Sequence, residues 1–172
     1  MLRWFILGVL IGALLTALTG RQASDINAAF RRPSALERVF NRLFGVLVGF
    51  GFGLPHNYLL EVRGRKTGRL YRAPIDLLEL DSRRYLVCPR GRSQWVRNAE
   101  ASGRVVLRKG RDHREFAIRA LVDREKPVVL QNYLDRFKTT VQRYFPVPAG
   151  SPPAAFTPHV ERYPVFELME AP

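Results

Sequence analysis

The residues best suited to chemistry in this chain are cations held between glycines. Gly64-Arg65-Lys66-Thr67-Gly68 places two positive side chains and a hydroxyl in a five-residue turn. Glycine at both ends lets backbone N–H groups approach an anion closely, because no Cβ stands in the way. A phosphate or carboxylate suits such a turn; a merely solvated hairpin has the same composition, and both readings stand. The run is not a P-loop, since it lacks the glycine spacing of that motif. A second cationic loop, Arg90-Gly91-Arg92, leads into Trp95 and Asn98, which share one face of a predicted helix. Two cationic turns at the ends of neighbouring strands could converge on one ligand. No Ser-His-Asp set, carboxylate pair or Cys-His pair presents itself. Cys88 is the single cysteine, so no internal disulfide forms, and His56, His113 and His159 are too scattered for a zinc site. Cys88 lies among apolar residues before Pro89 and reads as a buried small hydrophobe.

Short strands must position these turns. Tyr58–Arg63 and Leu70–Leu80 flank the first basic turn, with Pro74 marking a bulge or an edge position in the second strand. Asp81-Ser82 is a tight turn into a third strand, Arg84–Cys88. Ser93 can cap a short helix through Ala101, stopped by Gly103. Arg104–Lys109 and His113–Leu121 form a hairpin around Gly110-Arg111, and in the second arm His113, Glu115, Ala117 and Arg119 alternate with Arg114, Phe116, Ile118 and Ala120. That alternation predicts one buried face and one wet face. A helical stretch over roughly 124–144, a proline-rich loop over 146–153 and a closing strand at Val165–Leu168 complete the chain. Several short antiparallel strands interrupted by helices predict a small barrel.

Length and composition allow one globular domain with an accessory segment. In 172 residues, Lys and Arg number 28 against 15 Asp and Glu, a formal charge of +13. Such an excess calls for an anionic partner: nucleic acid, an acidic membrane leaflet or a phosphorylated small molecule. No nucleic-acid motif is present and the basic residues are dispersed, so nucleic acid is not the expected partner.

The N-terminus differs in character. Trp4 to Leu18 is apolar apart from Gly8, Gly12 and Thr16, and as a helix would span about 22 Å, short of the roughly 30 Å hydrocarbon layer unless its flanks contribute. A cleaved signal peptide, a core helix and a membrane anchor compete. The anchor is preferred, because the end lacks a small-x-small cleavage pattern and a polar linker follows. Arg21, Arg31, Arg32, Arg38 and Arg42 all follow the segment, which by the positive-inside rule places the body in the cytoplasm. Ser34-Ala35-Leu36-Glu37 matches a capping box opening a helix that carries Phe40, Leu43, Phe44 and Leu47. That helix either packs on the core or lies on the membrane with its arginines toward headgroups. The expected division is an anchor over 1–21, a linker and amphipathic helix over 22–54, and a barrel over 55–172.

The run Tyr58-Leu59-Leu60-Glu61-Val62-Arg63-Gly64-Arg65-Lys66-Thr67-Gly68-Arg69 with Pro74 downstream, Trp95-x-x-Asn98 before Gly103, and Tyr163-Pro164-Val165-Phe166-Glu167-Leu168 together resemble the deazaflavin-dependent nitroreductase and quinone reductase family. The resemblance spans roughly residues 51–168. It implies a split β-barrel, mainly β with helices and here preceded by an N-terminal hydrophobic helix, as in flavin mononucleotide (FMN) enzymes. It implies coenzyme F420, a hydride carrier with a phosphate and an oligoglutamate tail, with FMN as the alternative cofactor. By the match, Arg65, Lys66, Thr67 and Gly68 would hold phosphate and Arg90 would assist, while Pro74, Trp95 and Asn98 would line the ring site. Quinone-reducing members carry an arginine where Tyr71 stands, so Arg69 or Arg72 would substitute. They also carry an aromatic residue where this chain has Val96. Tyr144 is the candidate for the substrate pocket. The implied activity is hydride transfer from reduced F420 to a quinone- or nitroaromatic-like acceptor at the cytoplasmic membrane, in a possible homodimer. The alternative is a non-catalytic split barrel binding FMN, haem or a lipid-like ligand.

Overall fold

The computed structural model describes residues 54–170. The expected anchor over 1–21 and the helix expected from Ser34 lie outside the described residues. Six strands, β1 (Asn57–Arg63), β2 (Leu70–Leu80), β3 (Arg83–Val87), β4 (Arg104–Lys109), β5 (Asp112–Ala120) and β6 (Val165–Glu170), close into a barrel in the order β1-β2-β3-β6-β5-β4. Every neighbouring pair is antiparallel. Helix α1 (Gln94–Ser102) joins β3 to β4, and helix α2 (Lys126–Val141) follows β5. Among the described residues no helix is long and apolar enough to cross a membrane.

The period-two pattern of the strands sorts side chains into two cores. Leu60 and Val62 of β1, Leu107 of β4, Phe116 of β5 and Phe166 of β6 point into the barrel. Helix α1 fills the remaining space with Trp95, Val96 and Ala99, and the Trp95 ring stands 6.0 Å from Phe166, tilted against it. The helix stops where Gly103, at φ 67, takes the left-handed conformation and donates its N–H to Ala99 O. Only glycine adopts that conformation without a Cβ penalty. Ser93 precedes the helix as expected but makes no side-chain cap; its Oγ lies 3.5 Å from the Cys88 sulfur. Burial pushes the Cys88 thiol up, which suits a packed, inert cysteine.

The second core lies outside the barrel. Leu78, Tyr85, Val87 and Val165 present their side chains to α2, which answers with Val129, Leu130, Tyr133, Leu134, Phe137 and Val141 at helical spacing. Leu130 and Leu134 are completely buried, each worth about 1.5–3 kcal/mol relative to exposure. Pro127 sits in the first turn of α2, where its missing N–H costs nothing, and Phe137 departs from helical geometry near the far end. A run of 3-10 turns over Pro153–Arg162 has no counterpart in the sequence reading. It packs Phe156 and Val160 into the same outer core.

Connections follow the turn chemistry. Asp81 and Ser82 between β2 and β3 both have positive φ, 49 and 61, the handedness that matches the twist of a two-residue hairpin. β2 pairs with β1 along Leu70–Asp76 but with β3 only along Leu77–Leu80. Pro74 therefore falls where the ladder with β3 has not begun, and its missing donor breaks no bond there.

Candidate functional site

The β1–β2 turn closes on itself through backbone bonds: Gly64 N donates to Arg69 O at 2.8 Å and Gly68 N to Gly64 O at 2.7 Å. A Cβ on Gly64 would meet Arg69 O at 3.1 Å, and Gly68 has φ 67, so both positions favour glycine for the turn as built. Helix α1 then fixes the first cation. Arg65 donates to the Asn98 side-chain oxygen from its backbone N–H at 3.3 Å and from Nη1 at 2.9 Å, and to Gln94 Oε1 at 3.1 Å. Asn98 is 5% exposed, and it belongs to a helix locked into the barrel core. The exposed guanidinium thus stands on a rigid support.

Between this turn and α1 opens a cleft of about 400 Å³. Arg65, Lys66, Thr67 and Arg69 supply its cationic and hydroxyl wall, Gln94 and Asn98 its amide wall, and Leu70 and Tyr71 an apolar and phenolic rim. Among the described residues no carboxylate lines it. Burial, and secondarily Cys88, raise the Tyr71 phenol above its ordinary value, so Tyr71 keeps its proton at neutral pH and offers an O–H donor. A carboxylate-free cleft with three cations and convergent amides can hold an anionic phosphate with a polar planar group beside it. The phosphate-bearing cofactor implied by the family resemblance fits that donor set.

The residues expected at the site divide between places. Arg65, Lys66, Thr67 and Asn98 come together in the cleft, and Gly68 completes the turn. Trp95 does not line it: the indole is 7% exposed and buried inside the barrel. The spacing of Trp95 and Asn98 put them on one face, yet the 100° step leaves Gln94 beside Asn98 and turns Trp95 toward the core. Arg72 projects from the outer side of the sheet and pairs with the buried Glu61 carboxylate at 2.8 Å. Arg69, the other candidate for the missing arginine, does line the cleft. Pro74 sits opposite Leu59 in β2, half-buried. Arg90 and Tyr144 meet one another instead, the guanidinium 5.0 Å from the ring centre, with Arg143 4.9 Å from the same ring. The Tyr144 carbonyl accepts from the Tyr163 hydroxyl at 2.8 Å. Gln94 and Tyr71 were not foreseen; Gln94 was accessible from its i, i+4 relation to Asn98.

No curated protein matches the chain. Among solved structures it is similar to an F420-H2 dependent reductase (FDR-A), at 16% identity over 66% of this chain and 94% of that one, with a TM-score of 0.45. Atu2129 of Agrobacterium tumefaciens, a protein of unknown function, is 13% identical over 82% of this chain and 60% of that one, with a TM-score of 0.51. The haem storage protein HutZ of Vibrio cholerae is 11% identical over 81% and 92%, with a TM-score of 0.48. At these identities the likeness concerns the fold alone. The family model for F420H(2)-dependent quinone reductase matches residues 36–146, well over half of the chain and all of the cleft, and the chain belongs to the F420H(2)-dependent quinone reductase family.

Proposed function

We propose that this F420-dependent oxidoreductase reduces a quinone- or nitroaromatic-like acceptor in the cleft between the β1–β2 turn and α1. The observation that supports this most is the carboxylate-free cationic cleft whose first arginine is pinned by Asn98 and Gln94. Lys66, Arg69 and Arg65 would bind the cofactor phosphate, with Thr67 and the Gly64–Gly68 turn shaping the cradle. Asn98 orients Arg65 and so fixes where the anion sits, while Tyr71 holds a phenolic proton at the rim. Reduced F420, when bound, supplies a hydride, and with one proton a quinone becomes its hydroquinone. The protein contributes orientation and charge.

The same reading keeps the division of the chain into an anchor over 1–21, a linker and amphipathic helix over 22–54 and a barrel over 55–172. The apolar N-terminal segment would hold the barrel at the cytoplasmic face of the membrane, close to lipid-soluble acceptors, in a possible homodimer. Two measurements test the proposal. Oxidation of reduced F420 by a soluble quinone is expected to run faster with the protein than without it. Tight cofactor binding without acceleration for any quinone or nitroaromatic would reduce the protein to a binding module. Removal of residues 1–21 is expected to release the barrel from membranes with cofactor binding intact; an unfolded product would assign that segment to the core instead.

A further inference from the structure

Hydride transfer to a quinone leaves a negative charge on oxygen, and one proton must follow to complete the hydroquinone. The lining of the cleft narrows the source of that proton. Among the described residues no carboxylate, histidine or thiol lines it. Arg65 and Arg69 keep their protons throughout the physiological range. The amides of Gln94 and Asn98 present their oxygens to Arg65 and are not acids. The Thr67 hydroxyl accepts from the Arg69 N–H at 3.4 Å, and an aliphatic alcohol holds its own proton too tightly to give it up. Lys66 and Tyr71 are left, and Lys66 is committed to the cofactor phosphate. Tyr71 stands at the rim, 41% exposed, with its backbone fixed opposite Val62 in the β1–β2 ladder. A phenol is also the right acid in kind. The oxyanion of a half-completed hydroquinone is itself a phenolate, so proton transfer between the two is close to balanced, where general acids work best. The groups bearing on the phenol are Arg65, Lys66 and Arg69 from the turn, the neutral Gln94 and Asn98 from α1, and Cys88 just after β3. Burial keeps the phenol protonated at rest, and the three cations favour the tyrosinate left after transfer.

We propose that Tyr71 is the proton donor of the reaction, the residue that makes acceptors of the quinone class productive in this cleft. The inference rests on the F420 reading of the cleft. In the step, the quinone gains a hydride from the reduced cofactor, which is oxidised by two electrons. The Tyr71 O–H bond breaks and its proton bonds to the acceptor oxygen. The tyrosinate, open to solvent at the rim, recovers a proton from water. Summed, quinone, reduced cofactor and one solvent proton give hydroquinone and oxidised cofactor.

The test is Tyr71→Phe in the full-length protein, which keeps the ring and removes the hydroxyl. With a methyl-substituted quinone, whose hydroquinone anion is a strong base, kcat at saturation is expected to fall about 100-fold, the lower end of what a general acid supplies, because water at the rim partly replaces it. With a chlorinated quinone, whose hydroquinone anion is a weak base, the fall should stay under about threefold. The parent's kcat should decline at high pH as the phenol ionises, and the variant should lack that limb. Two measurements without turnover accompany these. Ultraviolet difference titration of ligand-free parent against variant should show one phenol ionising above the ordinary tyrosine value. Calorimetric titration of oxidised F420 should give the two proteins the same Kd within about threefold. A variant with unaltered kcat, an equal fall for both quinones, a weakened Kd with kcat intact, or a Tyr71 already ionised at neutral pH overturns the donor while leaving the cofactor site standing. Failure of the parent to bind F420, or to reduce any quinone, removes the reading of the cleft and the donor together.

Discussion

Asn98 offers the sharpest way to separate positioning from charge. Its side-chain oxygen is buried and accepts two bonds from Arg65, one of them from the guanidinium at 2.9 Å. A hydrogen bond to a charged group is worth about 1.5–3 kcal/mol, and exposure of the arginine lowers this to about 1 kcal/mol. Asn98→Ala should therefore cost about 1–2 kcal/mol of stability, seen as a fall in Tm of roughly 2–4 °C per kcal/mol for a chain of this length. Cofactor binding must then immobilise an arginine no longer held in place, at about 0.5–1.5 kcal/mol, so Kd should rise roughly two- to twelvefold. Asn98→Asp behaves differently. Its carboxylate holds Arg65 more tightly but cancels its charge toward an anion. Tm should recover relative to Ala while affinity falls further. Thermal unfolding and titration of F420 on the same samples read both quantities. An Asp variant that binds F420 more tightly than the Ala variant would refute the reasoning, as would an Ala variant with lowered Tm and unaltered Kd.

Replacing Arg65 and Lys66 together by Ala should weaken F420 binding by about two orders of magnitude, whereas Arg111→Ala in the β4–β5 turn should leave it nearly unchanged; equal, slight losses in titrations at low salt would reduce the site to diffuse surface attraction. Arg69→Ala should weaken binding and Arg72→Ala should not, because Arg72 is engaged with Glu61 on the outer side of the sheet; Kd values for the two variants decide this. Burial pushes the Asp76 carboxyl above its ordinary 3.8, with His56 and Asn57 pulling it only part of the way back. A raised carboxyl contributes stability that is whole below about pH 4 and is lost as pH rises through the raised value. Asp76→Asn, which mimics the protonated group, should therefore gain on the parent at neutral pH and lose that advantage in acid, as measured by urea unfolding at both conditions.

Most of the barrel was legible because strand periodicity leaves its mark directly in the sequence. The bounds Leu70–Leu80 match the observed β2, and the pattern around Phe116 and Ile118 states which face of β5 turns inward. The run Pro153–Arg162 was not legible, since prolines at 153 and 158 give it the composition of a loop while its helical turns are short and buried through only Phe156 and Val160. The β1–β2 turn could be read because its glycines set the backbone locally, independent of anything distant. Its partner Gln94 could not be read from residue type alone, since an exposed glutamine on a helix is ordinary until the turn is known to rest against it. Trp95 shows the converse: a large aromatic beside a candidate ligand residue has the look of a binding wall, yet the void inside a six-stranded barrel also demands filling, and α1 fills it.

Helix α1 divides the site into a part that can be rewritten and a part that cannot. Trp95, Val96 and Ala99 are committed to the barrel interior, so sliding the helix by one residue would swing them about 100° out of the core. Asn98 inherits that immobility. The turn carries no such burden, for Lys66, Thr67 and Arg69 are exposed and answer only to the glycines at either end. Altered preference for the anionic group can therefore arise by drift in three or four surface codons without repacking the interior. A change of the helix register would have to be accompanied by a new core. In this architecture recognition is cheap to revise at the loop and frozen at the plug.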